Sequence, residues 1–291
     1  MKNKVALAGW VLLGLLALPS LAAAQSLLLQ GPPADRGRFT LRYFWPQKGS
    51  YDRRGPEIFS GLYDLSADFR VSERINVIAA VPYMINKVSY RSYNWEIVSE
   101  SMHGLGNASI ALEFLLGKKS ARSTSLTLGA FLPTLTSRSS HDWRENDDYA
   151  YLAQIGWLAD YAEFPKVLDA MTPFARVAHY RELKGGWRVG MEGGAFILLP
   201  RGGDYSPIFV HYGAAAGRGI GPLELKAEVR GSAQVAGFVD EVYIRLFHQA
   251  AVAIAWGRGR LRPGIFYTIS LDQYFHEDSV GAIGFRLQYE L

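Results

Sequence analysis

Residues 223–230 read Leu223-Glu224-Leu225-Lys226-Ala227-Glu228-Val229-Arg230, and this stretch decides the fold. Leu223, Leu225, Ala227 and Val229 fall on one parity. Glu224, Lys226, Glu228 and Arg230 fall on the other. In an extended strand successive side chains point to opposite faces, so this spacing makes one face apolar and the other charged. A helix would scatter both sets around its circumference.

The pattern recurs in both directions from that stretch. Ile283, Phe285, Leu287, Tyr289 and Leu291 alternate with Gly284, Arg286, Gln288 and Glu290. Val242, Ile244, Leu246, Val252, Ile254 and Trp256 keep one parity. Toward the N-terminus, Trp187, Val189, Met191, Ala195 and Ile197 stand opposite Arg188 and Glu192. Leu126, Leu128, Ala130 and Leu132 form a further row, as do Ala108, Ile110, Leu112, Phe114 and Leu116.

Length separates the two architectures that use such strands. Soluble strands average about five or six residues, whereas tilted membrane-crossing strands need roughly nine to eleven. Most runs here are of the longer kind. A soluble sandwich would leave the charged rows in water. A membrane barrel turns the apolar rows to lipid and the charges to its interior, where opposite signs pair across strands. Composition agrees with alternation: aromatic residues are 13% of the chain, yet mean hydropathy is zero.

The N-terminus reads as a secretory signal. Lys2 and Lys4 precede an apolar run from Val5 to Leu18, and Ala22-Ala23-Ala24 supplies a small-residue cleavage site. Cleavage before Gln25 leaves 267 of the 291 residues and lowers the net charge from +4 to +2, because two lysines and no acids are removed. Basic and acidic residues are mixed along the remainder, which argues against a nucleic-acid partner. The chain has no Cys, so it carries neither a lipoprotein anchor nor disulfides. No apolar stretch of the mature part is long enough for a membrane helix.

Strands are predicted near 38–45, 57–71, 75–83, 105–116, 123–133, 148–159, 173–181, 187–198, 207–217, 222–232, 241–256, 261–271 and 280–291. Short turns, such as Ser72-Glu73-Arg74 and Gly257-Arg258-Gly259-Arg260, read as periplasmic. The longer polar segments 46–56, 84–103, 134–147, 233–240 and 272–279 read as outer loops. Single-chain bacterial barrels have even strand numbers, so the odd run is sought between 148 and 206, where 161–171 alternates poorly and contains Pro165.

The expectation is therefore an all-β protein, a transmembrane antiparallel up-and-down β-barrel of about 12 strands, with 14 as the alternative. Residues 1–24 are the cleavable signal peptide, 25–37 a short periplasmic segment and 38–291 the barrel, with both termini periplasmic. Trp45, Trp157, Trp187 and Trp256 fall near strand ends, where aromatic girdles sit. Trp95 and Trp143 fall in outer loops.

Two stretches also carry a family resemblance. His103-Gly104-Leu105-Gly106-Asn107 leads into a strand ending at Phe114. A turn follows, then a strand running from Ser125 to Leu132-Pro133-Thr134. This resembles the hairpin of the outer-membrane barrels grouped as the MetA-pathway family of phenol degradation, with Asn107 where that family favours Asp. Leu65 to Val81-Pro82-Tyr83 resembles the preceding hairpin of the same family. The resemblance implies an outer-membrane barrel that passes small organic compounds, with no catalytic residues to carry over. The C-terminal Phe285, Leu287 and Tyr289 resemble the signal read by the barrel-assembly machinery, with Leu291 in place of the usual terminal aromatic.

Candidate functional residues are those on inward parity in the C-terminal half: Arg188, Glu192, Glu224, Lys226, Glu228, Arg230, Arg245, Arg262, Arg286 and Glu290, joined by Tyr243, Phe247 and Phe266. They read either as the lining of a selective passage or as an ion-pair network that fills the barrel. No nucleophile elbow, zinc-protease helix or phosphate loop is present. His248 lies near Ser232 and Gln234 on a neighbouring strand and is weighed as a lipid-ester catalyst, but an isolated His is the better reading. The acidic loop His141–Asp148 is weighed as a divalent-cation bridge to lipopolysaccharide, against a solvated loop, which is preferred.

The expected function is a passive channel or transporter for small molecules, hydrophobic or aromatic ones among them. The alternatives are a structural or interaction barrel without an open pore and a lipid-modifying enzyme. No cofactor or metal is expected. The expected partners are outer-membrane lipid, lipopolysaccharide, the assembly machinery and a small solute.

Overall fold

A computed structural model of the chain describes residues 37–48, 61–91, 97–119, 121–134, 170–200, 206–237, 246–257, 259–271 and 279–291. The expected signal peptide, most of the segment 25–37, and the predicted strand 148–159 lie outside the described residues.

Fourteen strands are present among the described residues: β1 Gly37–Lys48, β2 Gly61–Ser72, β3 Ile75–Arg91, β4 Ile97–Leu105, β5 Ser109–Lys119, β6 Arg122–Phe131, β7 Ala170–Glu182, β8 Trp187–Ile197, β9 Leu199–Pro200, β10 Ile208–Ile220, β11 Leu223–Ala236, β12 Leu246–Trp256, β13 Leu261–Ser270 and β14 Ser279–Glu290. They make twelve staves. β4 and β5 both pair with β3, β4 opposite its far end and β5 opposite its near end. In the same way β8 and β9 share β7. Each couple is one stave interrupted by a short irregularity.

The ring closes through β1, which pairs with β2 on one side and with β14 on the other, from Arg38↔Glu290 to Lys48↔Ser279. All ladders are antiparallel. Closure satisfies every ladder without leaving an edge, which a wall surrounded by hydrocarbon requires. With 148–159 set aside, the twelve remaining predicted strands correspond one to one with the twelve staves.

Two predictions are corrected. The sequence predicts a loop over 84–103, but β3 continues to Arg91 and pairs with β4 from Tyr83↔Leu105 to Arg91↔Ile97. The apolar row Val77, Ala79, Val81, Tyr83 and Ile85 stops there, and Lys87, Ser89 and Arg91 continue the same parity, so the row that announces the strand ends before the ladder does. The predicted strand 105–116 is broken at 106–108. Asn107, fully buried, donates from Nδ2 to the carbonyl of Ala170 at 3.3 Å. Thr134 Oγ1 donates to the Gly106 carbonyl at 2.9 Å and accepts from the Ala108 N–H at 2.8 Å. The residues that carried the family resemblance thus staple a break in a stave.

Burial is inverted relative to a soluble domain. Among the described residues, 24 polar or charged side chains are buried against 18 apolar ones, while Leu65, Ile110, Val229, Val252 and Ile265 are more than half exposed. Water-facing folds show the opposite partition. The outward face is the apolar row of each strand, which suits a hydrocarbon surround.

One rim of the barrel carries the short connections: Glu73-Arg74 between β2 and β3, residues 183–186 between β7 and β8, Gly221-Pro222 between β10 and β11, and 257–260 between β12 and β13. Gly185 and Gly186 both have positive φ, 75° and 76°, a conformation that lets the β7–β8 link turn back at once. Gly37 and Leu291 lie on this same rim, joined by a Leu291 N–H bond to the Gly37 carbonyl at 3.0 Å.

Candidate functional site in the barrel interior

The inward rows make three tiers, running from the short-turn rim toward the long-loop ends of the strands. At the rim the ion pairs are partly wet. Arg188 on β8 reaches Glu182 on β7 at 3.2 Å and Glu224 on β11 at 2.8 Å, and Lys226 lies 3.4 Å from Glu224. Two staves on from Glu224, Arg262 on β13 holds Glu290 on β14 at 3.0 Å. The Arg188 and Glu182 side chains are 49% and 57% exposed. This end of the interior is open to solvent.

The other inward polar side chains are shielded, from Arg38 and Asn76 beside the rim to Arg42, Asp64 and Arg230 further along their strands. Arg38 pairs with Asp68 at 2.9 Å, Arg42 with Asp64, and Arg230 with Glu228 at 3.4 Å, all 8% exposed or less. Arg230 also donates from Nε to Gln249 Oε1 at 2.7 Å. Asn76 donates to Glu113 at 3.0 Å, and Arg176 to Thr127 at 3.4 Å. Glu192, Arg286 and His211 complete this buried belt. Small inward residues make room for it: Ala251, Ala253 and Ala255 on β12 stand opposite Glu228, Lys226 and Glu224. At this level the polar side chains shield one another from solvent.

The third tier is apolar. Phe44, Leu62, Met84, Phe131, Phe196 and Phe209 point inward and are buried. Phe196 stacks on Phe209 with centroids 5.0 Å apart, and Phe44 meets Phe266 edge-on at 5.0 Å. Arg42 lies 6.0 Å from the Phe44 centroid and Arg176 5.9 Å from that of Phe174, so cation–π contacts join this tier to the belt beneath. Glycines seat the rings. Gly284 is the register partner of Phe266, and a Cβ there would collide with its ring. Gly194 stands in the same relation to His211.

Of the residues singled out by sequence, Glu192, Glu228, Arg230 and Arg286 fall in the buried belt, and Arg188, Glu224, Lys226, Arg262 and Glu290 at the rim. Arg245 and Tyr243 lie outside the described residues, as does the Phe247 side chain. Phe266 is buried in the interior.

The sequence reading missed the N-terminal half of the belt: Arg38, Arg42, Asp64, Asp68, Asn76, Glu113 and Arg176. The signal was available for the first four, since Arg38, Thr40 and Arg42 alternate with Phe39, Leu41 and Tyr43, and Asp64, Ser66 and Asp68 with Leu65, Ala67 and Phe69. Parity also places Phe44 and Phe196 with those inward rows, but their grouping into one tier depends on how the strands pair.

His248 and Ser232 do not meet. Ser232 is buried on the inner face and donates to the Val210 carbonyl at 3.2 Å, whereas His248 is on the outer face, 2.9 Å from Tyr212 Oη. The wall separates them. The loop 141–148 lies outside the described residues.

No protein-family model and no curated protein matches the chain. Solved structures do. The crystal structure of an outer membrane channel from Pseudomonas putida F1 superposes with a TM-score of 0.58 at 11% identity, covering 92% of this chain and 98% of that one. The NanC porin gives 0.49 at 7% identity over 87% of this chain and 100% of that one. The Pseudomonas putida toluene transporter TodX gives 0.44 at 9% identity over 93% and 94%. At such identities the likeness is one of fold, that of an outer-membrane β-barrel.

Proposed function

We propose that the chain is a passive outer-membrane channel or transporter for small solutes, apolar and aromatic ones included, with the short-turn rim and both termini in the periplasm. The observation that carries the reading is the graded interior. Polar side chains of both signs run along the bore, wet at one rim and buried in the belt, beneath a tier of inward aromatic rings. A bore that served only to be filled has no need of aromatic surface above a charged belt. The fold shared with an outer membrane channel is consistent with this reading. So is the resemblance to the MetA-pathway barrels carried by residues 103–134. The candidate lining comprises Arg188, Glu192, Glu224, Lys226, Glu228, Arg230, Arg262 and Arg286, with the solute as partner. Lipid and lipopolysaccharide surround the apolar band, and the assembly machinery acts during insertion.

Planar-bilayer recording tests the proposal. Small conductance steps are expected from the wild type. Larger steps are expected from Arg230→Ala and Glu228→Ala, because each truncation removes atoms that fill the bore. Silence in all three proteins overturns it. A second reading, a structural barrel without an open pore, is favoured by the burial of Arg42, Asp64, Glu192 and Arg230 at 3% exposure or less; silent but folded protein would establish it. No catalytic step belongs to either reading. Lipid turnover that is lost in His248→Ala would require one.

A further inference from the structure

The outer surface of the short-turn rim is unevenly charged. Arg122 and Arg181 are exposed, point outward, and are direct register partners on β6 and β7. Like charges opposed on neighbouring strands repel. The link after β7 adds exposed Lys184. The turn is held close by a Leu183 N–H bond to the Trp187 carbonyl at 2.8 Å and a Glu182 N–H bond to the Ala121 carbonyl at 2.8 Å. Arg218, outward on β10, lies 5.5 Å from the centroid of Trp187, its register partner on β8. Among the described residues no carboxylate shares this outer face. Glu182 and Glu224, on the same sector of the rim, turn inward to Arg188.

Exposed apolar surface adjoins the four bases. Trp187 is 44% and Ile220 51% exposed, both at the rim-side ends of their strands. Tryptophan at such a place marks the level of lipid headgroups. Basic side chains beside an anionic bilayer surface each contribute about 1 kcal/mol of attraction. A soluble anion would answer the charges but not the apolar surface. A lipid answers both, with its phosphate among the guanidinium groups and its chains along Ile220.

We infer that Arg122, Arg181, Lys184 and Arg218, arranged around Trp187, form a binding site for anionic phospholipid headgroups. Naming the periplasmic-side leaflet as the source rests on the orientation proposed above; the site itself does not.

The test uses the mature full-length protein in nanodiscs of phosphatidylethanolamine with a minor share of phosphatidylglycerol, followed by native mass spectrometry of the lipids retained. The wild type is expected to retain phosphatidylglycerol above its bulk share. The R122Q/R181Q/R218Q variant is expected to lose roughly fivefold in that preference for each arginine removed. R74Q/R260Q, altered on other sectors of the same rim, is expected to keep it. The site is overturned if the wild type shows no preference, if the triple variant keeps it, or if the control loses as much. Heat-modifiable gel migration verifies that each variant is folded. A barrel that conducts nothing yet still enriches phosphatidylglycerol sinks the channel reading and leaves this one standing.

Discussion

Arg42 and Asp64 face each other across the β1–β2 ladder with side chains 1% and 0% exposed. Removing one partner of a buried pair strands the other charge, which costs about 3–5 kcal/mol, whereas replacing both by apolar groups is often neutral. Arg42→Ala is therefore expected to destabilise the barrel by about that amount in urea unfolding from lipid vesicles, and R42M/D64L to recover most of it. An equal loss in single and double variants would show that the pair itself carries the stability. At Gly284 the physics is steric. A Cβ there collides with the Phe266 ring, so Gly284→Ala is expected to lose about 1–3 kcal/mol. Adding Phe266→Ala should relieve part of that loss, and strict additivity in the same unfolding assay would refute the close approach.

At the scale of elements, the broken stave is the distinctive feature. Thr134 bonds both sides of the break through one hydroxyl. Thr134→Val removes both bonds, at about 1 kcal/mol each. Hydrogen exchange should then quicken for the amide of Ala108, which donates to the Thr134 hydroxyl, while those of β11 keep their protection; uniform exchange would contradict a local staple. The outward rows make a depth prediction. Val252, mid-strand on β12, is 56% exposed on the apolar face, whereas Ile220 ends β10 at the rim. Arginine at position 252 is expected to destabilise by about 2–4 kcal/mol and at position 220 by about 0–1 kcal/mol. Equal costs would mean that the apolar faces do not lie in lipid.

For the whole molecule, closure is the property to test. Twelve antiparallel staves joined through β1 and β14 leave no edge to fray. Membrane-extracted protein should therefore migrate differently on a gel before and after boiling. Recovery in an osmotic-shock fraction with no such shift would contradict a membrane barrel.

The alternation from Leu223 to Arg230, and its repeats up to Leu291, determined strand and face by itself, and the length of the runs pointed to a membrane barrel. Period two is a local property, and one run of residues suffices to express it. The inward rows of the C-terminal half were legible for the same reason. Which inward charges meet was not. Arg188 reaches both Glu182 and Glu224 because β7, β8, β10 and β11 are neighbours in a particular register, and register is set by pairing between strands rather than within one. Nor could periodicity show that 97–105 and 109–119 are one stave, because their alignment exists only against β3. The aromatic tier above the belt was hidden for a related reason. Phe44 and Phe196 share the parity of Arg42 and Glu192 and so fall on the inner face by sequence, but that they gather with Phe209 and Leu62 into one tier depends on which strands the closed wall brings together.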